Sequence, residues 1–431
     1  MSDTAPAAPF VTRVRIENFK SIASCDVSLG AFNVLLGLNA AGKSNFLDAL
    51  RFVRDALASG LGPAVDARGG LLNVLRRDPE PADLCRITVG VRLPASAVPG
   101  RQASGTLAYL DGTYSFDIGY GPEPSGPEDG VQEELFVHTE DCELTAPDGS
   151  RAARFSRTAE FVRDSEFPSS PNMNGVTGLV ETDSLYLPSA GTRPVYAALH
   201  RGLAGMFFYD PALAALREPR PLTTNALMSE DGGNLGATLS QLDPVVRRRI
   251  DAYMAAIVPG LTSVEPSPTS GAGDYVAAQM TLAPAAGQPS RTFRAESMSD
   301  GTIRAIGLLA ALFQPRARDG RIRLVAVEEP ELGLHPMAAG ALYDALTEAS
   351  NHVQVLGTSQ SSQLFDRKEA DLDAVKMVAS QDGATVIGPL DGISRGIITD
   401  GLSTIEDLLR SDQLEPELTS DAQESGGGRD E

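Results

Sequence analysis

The stretch Phe32-Asn33-Val34-Leu35-Leu36-Gly37-Leu38-Asn39-Ala40-Ala41-Gly42-Lys43-Ser44 decides the fold. Phe32 to Leu36 is a short apolar run ending at a glycine, the pattern of a buried strand feeding a loop. From Ser44 onward, Phe46, Leu47, Leu50, Phe52, Val53 and Leu57 recur at helical spacing. Strand, Gly-bounded loop and helix in that order make a phosphate cradle. Backbone N–H groups of a tightly curved loop converge on one oxyanion, and the helix N-terminus adds its positive end. Lys43 supplies a point charge to the β- and γ-phosphates, and the Ser44 hydroxyl is a ligand for Mg²⁺. A chance Gly-rich loop is the bland alternative, and the flanking strand and helix weigh against it.

Two later segments fit the same site. Leu324-Val325-Ala326-Val327-Glu328-Glu329 reads as a buried strand that delivers two carboxylates at its carboxyl end, where ligands of α/β sheets bind. Glu328 is placed to hold Mg²⁺, and Glu329 to polarise the water that attacks the γ-phosphate. Alone, the pair would read as a solvated acidic turn. Glu296-Ser297-Met298-Ser299-Asp300-Gly301-Thr302 precedes an apolar helix. A Ser and a Gly at a helix N-terminus make an anion site, and equally an ordinary N-cap.

Working outward, the first of three lobes spans 1–187. It holds strands at 11–16, 25–29, 86–93, 105–110, 113–118, 134–138 and 142–145, with a Pro/Gly-rich acidic loop at 121–130 and a loop at 164–174. The second, 188–290, is expected to be mostly helical as far as 266, with helices at 194–206 and 239–257. A turn-rich connector at 266–273 and a strand at 275–282 follow. The third, 291–410, carries a helix at 302–313, strands at 324–327 and 353–356, a hairpin at 374–378 and 384–387, and a closing helix at 405–409. There is no internal repeat, and no sustained heptad pattern that would build a coiled-coil arm. Residues 411–431 carry Asp412, Glu415, Glu417, Asp421, Glu424, Asp430 and Glu431 against Arg429 alone, the composition of a disordered acidic tail.

Across the 431 residues, 42% are hydrophobic and 22% charged, ordinary for a globular chain too long for one compact domain. No apolar run approaches the ~20 residues that cross a bilayer, so no membrane partner is expected. No signal peptide is evident, and the three cysteines (Cys25, Cys85 and Cys142) fit neither a zinc site nor a disulfide framework. A cytoplasmic location is the expectation. The formal net charge of -21 argues against a general nucleic-acid binder, since long-range repulsion opposes a polyanion.

The three segments, in this order, resemble the ABC-type ATPase heads of the RecF/SMC/Rad50 superfamily, and most closely the stand-alone bacterial AAA family ATPases. Val14-Arg15-Ile16-Glu17-Asn18-Phe19-Lys20-Ser21-Ile22 looks like the opening strand of such heads, and Ser299-Asp300-Gly301-Thr302 like their signature segment. Glu328-Glu329-Pro330-Glu331, followed by Leu334-His335-Pro336, looks like Walker B and the D-loop. Tyr209-Asp210-Pro211 and Asp231-Gly232-Gly233-Asn234-Leu235 look like further recurring segments with no assigned role.

The resemblance implies an α/β fold: a P-loop NTPase head with a mixed central sheet, an antiparallel β lobe and a helical insertion. It implies ATP on Gly37, Asn39, Ala40, Ala41, Gly42, Lys43, Ser44 and Asn45, Mg²⁺ on Ser44 and Glu328, and Glu329 as base. It further implies a head-to-head homodimer in which Ser299, Asp300 and Gly301 reach the partner's ATP in trans. Three departures stand out. Ala40 replaces a common Gly, Glu328 replaces the commoner Asp, and Gln360 in Thr358-Ser359-Gln360-Ser361 falls where relatives carry a switch His. Gln360 can hydrogen-bond the γ-phosphate as a sensor but cannot carry charge, which bears on hydrolysis more than on binding.

Three functions follow as expectations. The first is an ATP-hydrolysing switch that controls a partner protein, such as an effector in an anti-phage system. The second is a RecF-like ATPase clamping DNA, with Arg76-Arg77 and Arg247-Arg248-Arg249 as candidate contacts, although the latter cluster reads more simply as a solvated helix face. The third is a non-hydrolysing scaffold that binds ATP only to dimerise, motivated by Gln360.

Overall fold

The apolar run at 32–36 becomes an inner strand of a six-stranded sheet whose order is β10-β15-β16-β3-β17-β18. These strands are β10 (Phe207–Tyr209), β15 (Leu324–Glu328), β16 (Gln354–Ser359), β3 (Phe32–Leu36), β17 (Val375–Gln381) and β18 (Ala384–Pro389). All pairings are parallel except the terminal β17–β18 hairpin. The computed structural model describes residues 8–77, 82–98, 109–121, 134–159, 161–165, 176–177, 181–223, 227–268, 275–284, 289–365, 371–411 and 413–417.

A second, antiparallel sheet has the order β2-β1-β4-β5-β6-β7-β8-β9. Its members are β1 (Val11–Phe19), β2 (Ile22–Ser28), β4 (Leu84–Pro94), β5 (Tyr109–Tyr120), β6 (Leu135–Thr145), β7 (Arg151–Thr158), β8 (Val162–Asp164) and β9 (Val176–Thr177). The helix Lys43–Ser59 buries residues around most of its circumference, which a helix does when apolar layers cover both sides. Phe52 lies 5.9 Å from the ring of Phe19 and 6.1 Å from that of Phe116, and both partners belong to the antiparallel sheet. Buried Gln354 joins the two sheets. Its amide donates to the Val11 and Gly30 carbonyls at 2.7 and 2.8 Å and accepts from the Val11 N–H at 2.8 Å.

A third, small sheet joins β11 (Arg220–Pro221), β13 (Tyr275–Leu282) and β12 (Leu261–Pro268), with β14 (Arg291–Arg294) also on β13. Together with the helices Leu235–Ser240 and Pro244–Ile257, it packs on the helix Asp300–Phe313.

Several local expectations are corrected. The helix read at 239–257 is two helices broken at Asp243-Pro244. Pro244 has no N–H to continue the ladder, and Asp243 caps the second helix by accepting from Val245 and Val246 at 2.9 and 3.0 Å. The span 188–266 is helical over much of its length, but it also gives the central sheet its outer strand β10 and supplies β11 and the start of β12. The connector read at 266–273 begins inside β12, whose prolines are tolerated because it pairs only with β13; residues 269–274 lie outside the described residues.

The strands read at 105–110 and 113–118 are one strand, β5, with 105–108 outside the described residues. Those read at 134–138 and 142–145 are one strand, β6. Asp164, the first residue of the loop read at 164–174, ends β8, and 122–130 and 166–174 lie outside the described residues. Near the C-terminus, Leu414 is buried, Pro416 bridges to Leu390, and the Glu417 N–H donates to the Pro389 carbonyl at 2.9 Å. Residues 411 and 413–417 are therefore ordered against the hairpin, and the rest of the acidic tail lies outside the described residues.

Inside the antiparallel lobe, Glu140 and Arg157 are both fully buried as an ion pair at 3.7 Å. Glu140 also accepts from the Tyr114 hydroxyl and from the N–H groups of Tyr186 and Leu187, so it ties β5 and β6 to the chain leaving the lobe. Burial raises the Glu140 pKa, and its hydrogen bonds and Arg157 oppose that rise. Removing one partner of a buried pair strands the other charge. Glu140→Ala is therefore expected to cost about 3–5 kcal/mol in urea unfolding. A loss below about 1 kcal/mol would show that this network does not hold the lobe.

Candidate functional site

Parallel pairing brings the carboxyl ends of the inner strands to one edge. Glu328 pairs with Thr358, Ser359 with Leu36, and Leu36 with Met377. The phosphate loop leaves β3 at this edge, and close backbone approach explains its glycines. A Cβ on Gly37 would sit 2.1 Å from the Val378 carbonyl oxygen. Gly42 has φ +104°, and a Cβ there would meet Thr385 Oγ1 at 2.0 Å. Ala40, at φ 61°, takes the left-handed conformation that a Gly would adopt freely, at a cost of about 1–2 kcal/mol.

The loop residues named from sequence divide by role. Leu38, Asn39 and Ala40 are exposed, while Ala41 is buried. Lys43 is nearly buried, and its ammonium donates to the Gly37 and Leu38 carbonyls, both at 2.8 Å. Burial lowers its pKa, opposed by the charges of Glu329, Glu331 and Glu328. Ser44 donates its hydroxyl to Glu328 Oε2 at 2.7 Å. The Asn45 side chain points away and donates to Ser21 Oγ at 2.6 Å; Ser21 in turn shares a 2.7 Å hydrogen bond with Thr385 Oγ1. The Asn45 side chain therefore buttresses the loop through Ser21 and Thr385.

Three carboxylates cluster opposite Lys43. Glu329 has φ 44°, strained for a non-glycine, and its N–H donates to the Thr358 carbonyl at 3.1 Å. Its carboxylate accepts from the Gln360 amide. Glu331 accepts from the Ser359 hydroxyl, and burial raises its pKa. Ser44 and Glu328 offer hard oxygen donors side by side. That suits Mg²⁺, which takes one or two protein oxygens and completes its shell with water and phosphate oxygens. Among the described residues no group of three or more His, Cys, Asp or Glu forms a self-contained metal site.

The signature segment sits elsewhere on this face. Ser299 is the N-cap of the helix Asp300–Phe313, accepting from the Thr302 N–H at 3.3 Å. Asp300 pairs with Arg217 at 2.6 Å. A Cβ on Gly301 would lie 2.0 Å from the Gly333 carbonyl oxygen, so the signature packs on the D-loop segment of its own chain. Among the described residues no hydrogen bond joins these three to the phosphate loop.

The two unassigned recurring segments now have a place. Tyr209 ends β10 beside Val327, and its hydroxyl occupies the space a Gly307 Cβ would fill, at 2.1 Å. Asp210 and Ala212 donate N–H groups to the Glu230 and Asp231 carbonyls, both at 3.0 Å. Together they brace the signature helix against the strand that carries Glu328. Arg304 of that helix lines a small cavity with Tyr209, Glu328 and Glu329. Sequence reading missed Arg304, although it lies one helical turn beyond Gly301, on the same helix face. Of the arginines considered for DNA, Arg77 donates to the Leu72 carbonyl and Asn73, Arg247 to the Leu239 carbonyl, and Arg249 to Glu348.

The comparisons agree with this geometry. A family model described as "AAA domain, putative AbiEii toxin, Type IV TA system" matches residues 32–82 and 289–366, the two segments that carry the loop and the carboxylates. The chain has the fold of an ABC-type, SMC-like P-loop ATPase head. An SMC head bound to the C-winged helix domain of ScpA is similar at 12% identity and TM-score 0.52, covering 90% of this chain and 99% of that one. The SMC head of Pyrococcus furiosus, bound to the C-terminal domain of ScpA, gives 12%, 0.49, 91% and 99%. That of Thermotoga maritima gives 12%, 0.43, 89% and 99%. At such identity the likeness is one of fold. No curated protein matches the chain. Among the described residues no helix is long and apolar enough to cross a membrane.

The Gly301 contact generates a test. Gly301→Ala must displace the Gly333 backbone, so nucleotide-free protein is expected to lose about 1–3 kcal/mol in denaturant melts. An unchanged midpoint would mean that this glycine is not needed within its own chain.

Proposed function

We propose that the chain binds ATP with Mg²⁺ on the loop 37–45, hydrolyses it, and acts as a switch by closing head-to-head on a second copy. The observation that carries this reading is the meeting of Lys43 and Ser44 with Glu328 and Glu329 at one sheet edge. The Lys43 ammonium exchanges its two carbonyl partners for phosphate oxygens. Ser44 and Glu328 hold the cation, which when bound neutralises charge on the phosphates. Glu329 takes the proton of the attacking water. Its present partner Gln360 must turn toward the γ-phosphate first, so the resting contact holds the base back until nucleotide arrives.

Closure on a second copy has its own support. Leu38, Leu332 and Met337, 50%, 48% and 86% exposed, put apolar surface on the phosphate loop and the D-loop segment. In the closed pair, Ser299, Asp300 and Gly301 of one copy complete the ATP site of the other, and C2 symmetry makes two equal sites. ATP then shifts the population toward the dimer and hydrolysis releases it. Control of a partner protein, such as an anti-phage effector, is the output we assign to the switch; a similar head bound to ScpA is in keeping with it. A second reading, an ATP-dependent scaffold without turnover, is favoured by the same Gln360–Glu329 contact.

ATP turnover at several protein concentrations, with oligomer mass read in parallel, separates these. The specific rate is expected to rise with concentration. Glu329→Gln is expected to lose turnover by about 100-fold or more while accumulating as an ATP-bound dimer. Wild-type turnover near zero, with dimerisation intact, selects the scaffold. A rate indifferent to both concentration and Glu329→Gln overturns the proposal.

A further inference from the structure

The helix Asp300–Phe313 has the signature at its N-terminus and, about 20 Å away at its other end, a groove of about 490 Å³. Phe313 and Val246 form the floor. Arg248 and Arg249 enter from the helix Pro244–Ile257, Arg318 from the turn that follows the signature helix, and Glu348 and His352 from the end of the helix Ala339–Ala349. None of these residues belongs to the phosphate loop or its carboxylates.

The cations are unequally committed. Arg249 is held by Glu348, which also accepts from the Tyr253 hydroxyl at 2.5 Å. Arg318 uses Nη1 on exposed Asp243 at 3.0 Å. Arg248 is exposed and has no partner among the described residues. Nε2 of His352 is buried and has no partner among them either, while the ring packs against Phe313 at 5.8 Å. Buried polar atoms are nearly always satisfied, so an orphan beside the uncommitted guanidinium of Arg248 and the exposed pair of Arg318, on an apolar floor, marks a place for a ligand.

We propose that this groove is a binding site for a small organic oxyanion, a phosphate or carboxylate carried on an apolar body, held by Arg248, Arg318 and His352. Arginine forks match both anions in geometry. The volume lies within the roughly 300–1,000 Å³ of small-molecule sites. The chain's net charge of -21 repels a polyanion at long range and weighs far less on a small one. Burial and the charge of Arg318 lower the pKa of the His352 ring, opposed by the Leu312 backbone and Glu348. A protonated ring presents an N–H at Nε2 to an anion in the groove, which a neutral ring with its hydrogen on Nδ1 does not. Binding therefore takes up a proton and tightens as pH falls. The other charged groups facing the ring are Arg248, Arg249, Arg318 and Glu348, with Asp243 behind Arg318.

The test titrates inorganic pyrophosphate and, separately, citrate into Lys43→Ala protein by calorimetry, so that the phosphate loop does not compete. We expect one-to-one binding of at least one probe, weakened at least tenfold by adding Arg248→Ala and Arg318→Ala. We also expect the ratio of wild-type-ring to His352→Gln affinity to fall from pH 6 to pH 8, which cancels the titration of the probes themselves. Pyrophosphate alone assigns a phosphate ligand, and citrate alone a carboxylate. The two arginine substitutions in otherwise wild-type protein should leave the melting temperature and ATP turnover unchanged, which establishes that the fold is intact. Absence of binding by both probes, or binding indifferent to the arginines, overturns the proposal.

Discussion

Ser44 and Glu328 are 284 positions apart, yet their side chains meet at 2.7 Å. The contact exists because β3, β16 and β15 run parallel in register, so that the loop after Leu36 and the last residue of β15 reach the same edge. Parallel neighbours need long crossovers, and those crossovers carry the rest of the molecule. Six of the eight strands of the antiparallel lobe (β4 to β9), the small third sheet and the signature helix lie in the chain between Ser44 and Leu324. The site is therefore a consequence of strand direction, and the intervening segments are free to differ as long as they return the chain to that edge.

Around the contact, neighbouring carboxylates do different work because their surroundings differ. Glu328 faces Ser44, with hard oxygens presented together. Glu329 is held in a left-handed backbone conformation and restrained by Gln360. Glu331 is driven toward its neutral form by burial. Lys43 answers all three, and its lowered pKa comes from the same burial. An ammonium so placed already has two carbonyl partners, so nucleotide meets a preformed cradle.

Legibility in the sequence followed the range of the interaction. The loop, the two glutamates and the signature were readable because each is a contiguous run whose spacing encodes its geometry. Gly37 and Gly42 were readable as glycines. The reasons for them, the Val378 carbonyl and Thr385, were not, because both arrive from the C-terminal hairpin. The side-chain contact of Asn45 was not legible for a similar reason: its partner Ser21 lies two strands back. Strand β10 was missed because Phe207-Phe208-Tyr209 is too short to show a period. Strand β7 was missed because its three arginines mask the alternation, one of them, Arg157, being buried against Glu140. The helix break at Asp243-Pro244 was legible in principle, and the apolar periodicity on either side concealed it.

The central claim is that Lys43, Ser44 and Glu328 form one nucleotide and cation site. Calorimetric titration of ATP into the wild-type chain, with and without Mg²⁺, tests it most directly when repeated on Lys43→Ala, Ser44→Ala and Glu328→Gln. The account predicts one ATP per chain, tightened by Mg²⁺. It predicts that binding is abolished by Lys43→Ala, and that the Mg²⁺ dependence is lost in both of the other variants while ATP still binds. Binding that ignores Mg²⁺ and survives Lys43→Ala would contradict it.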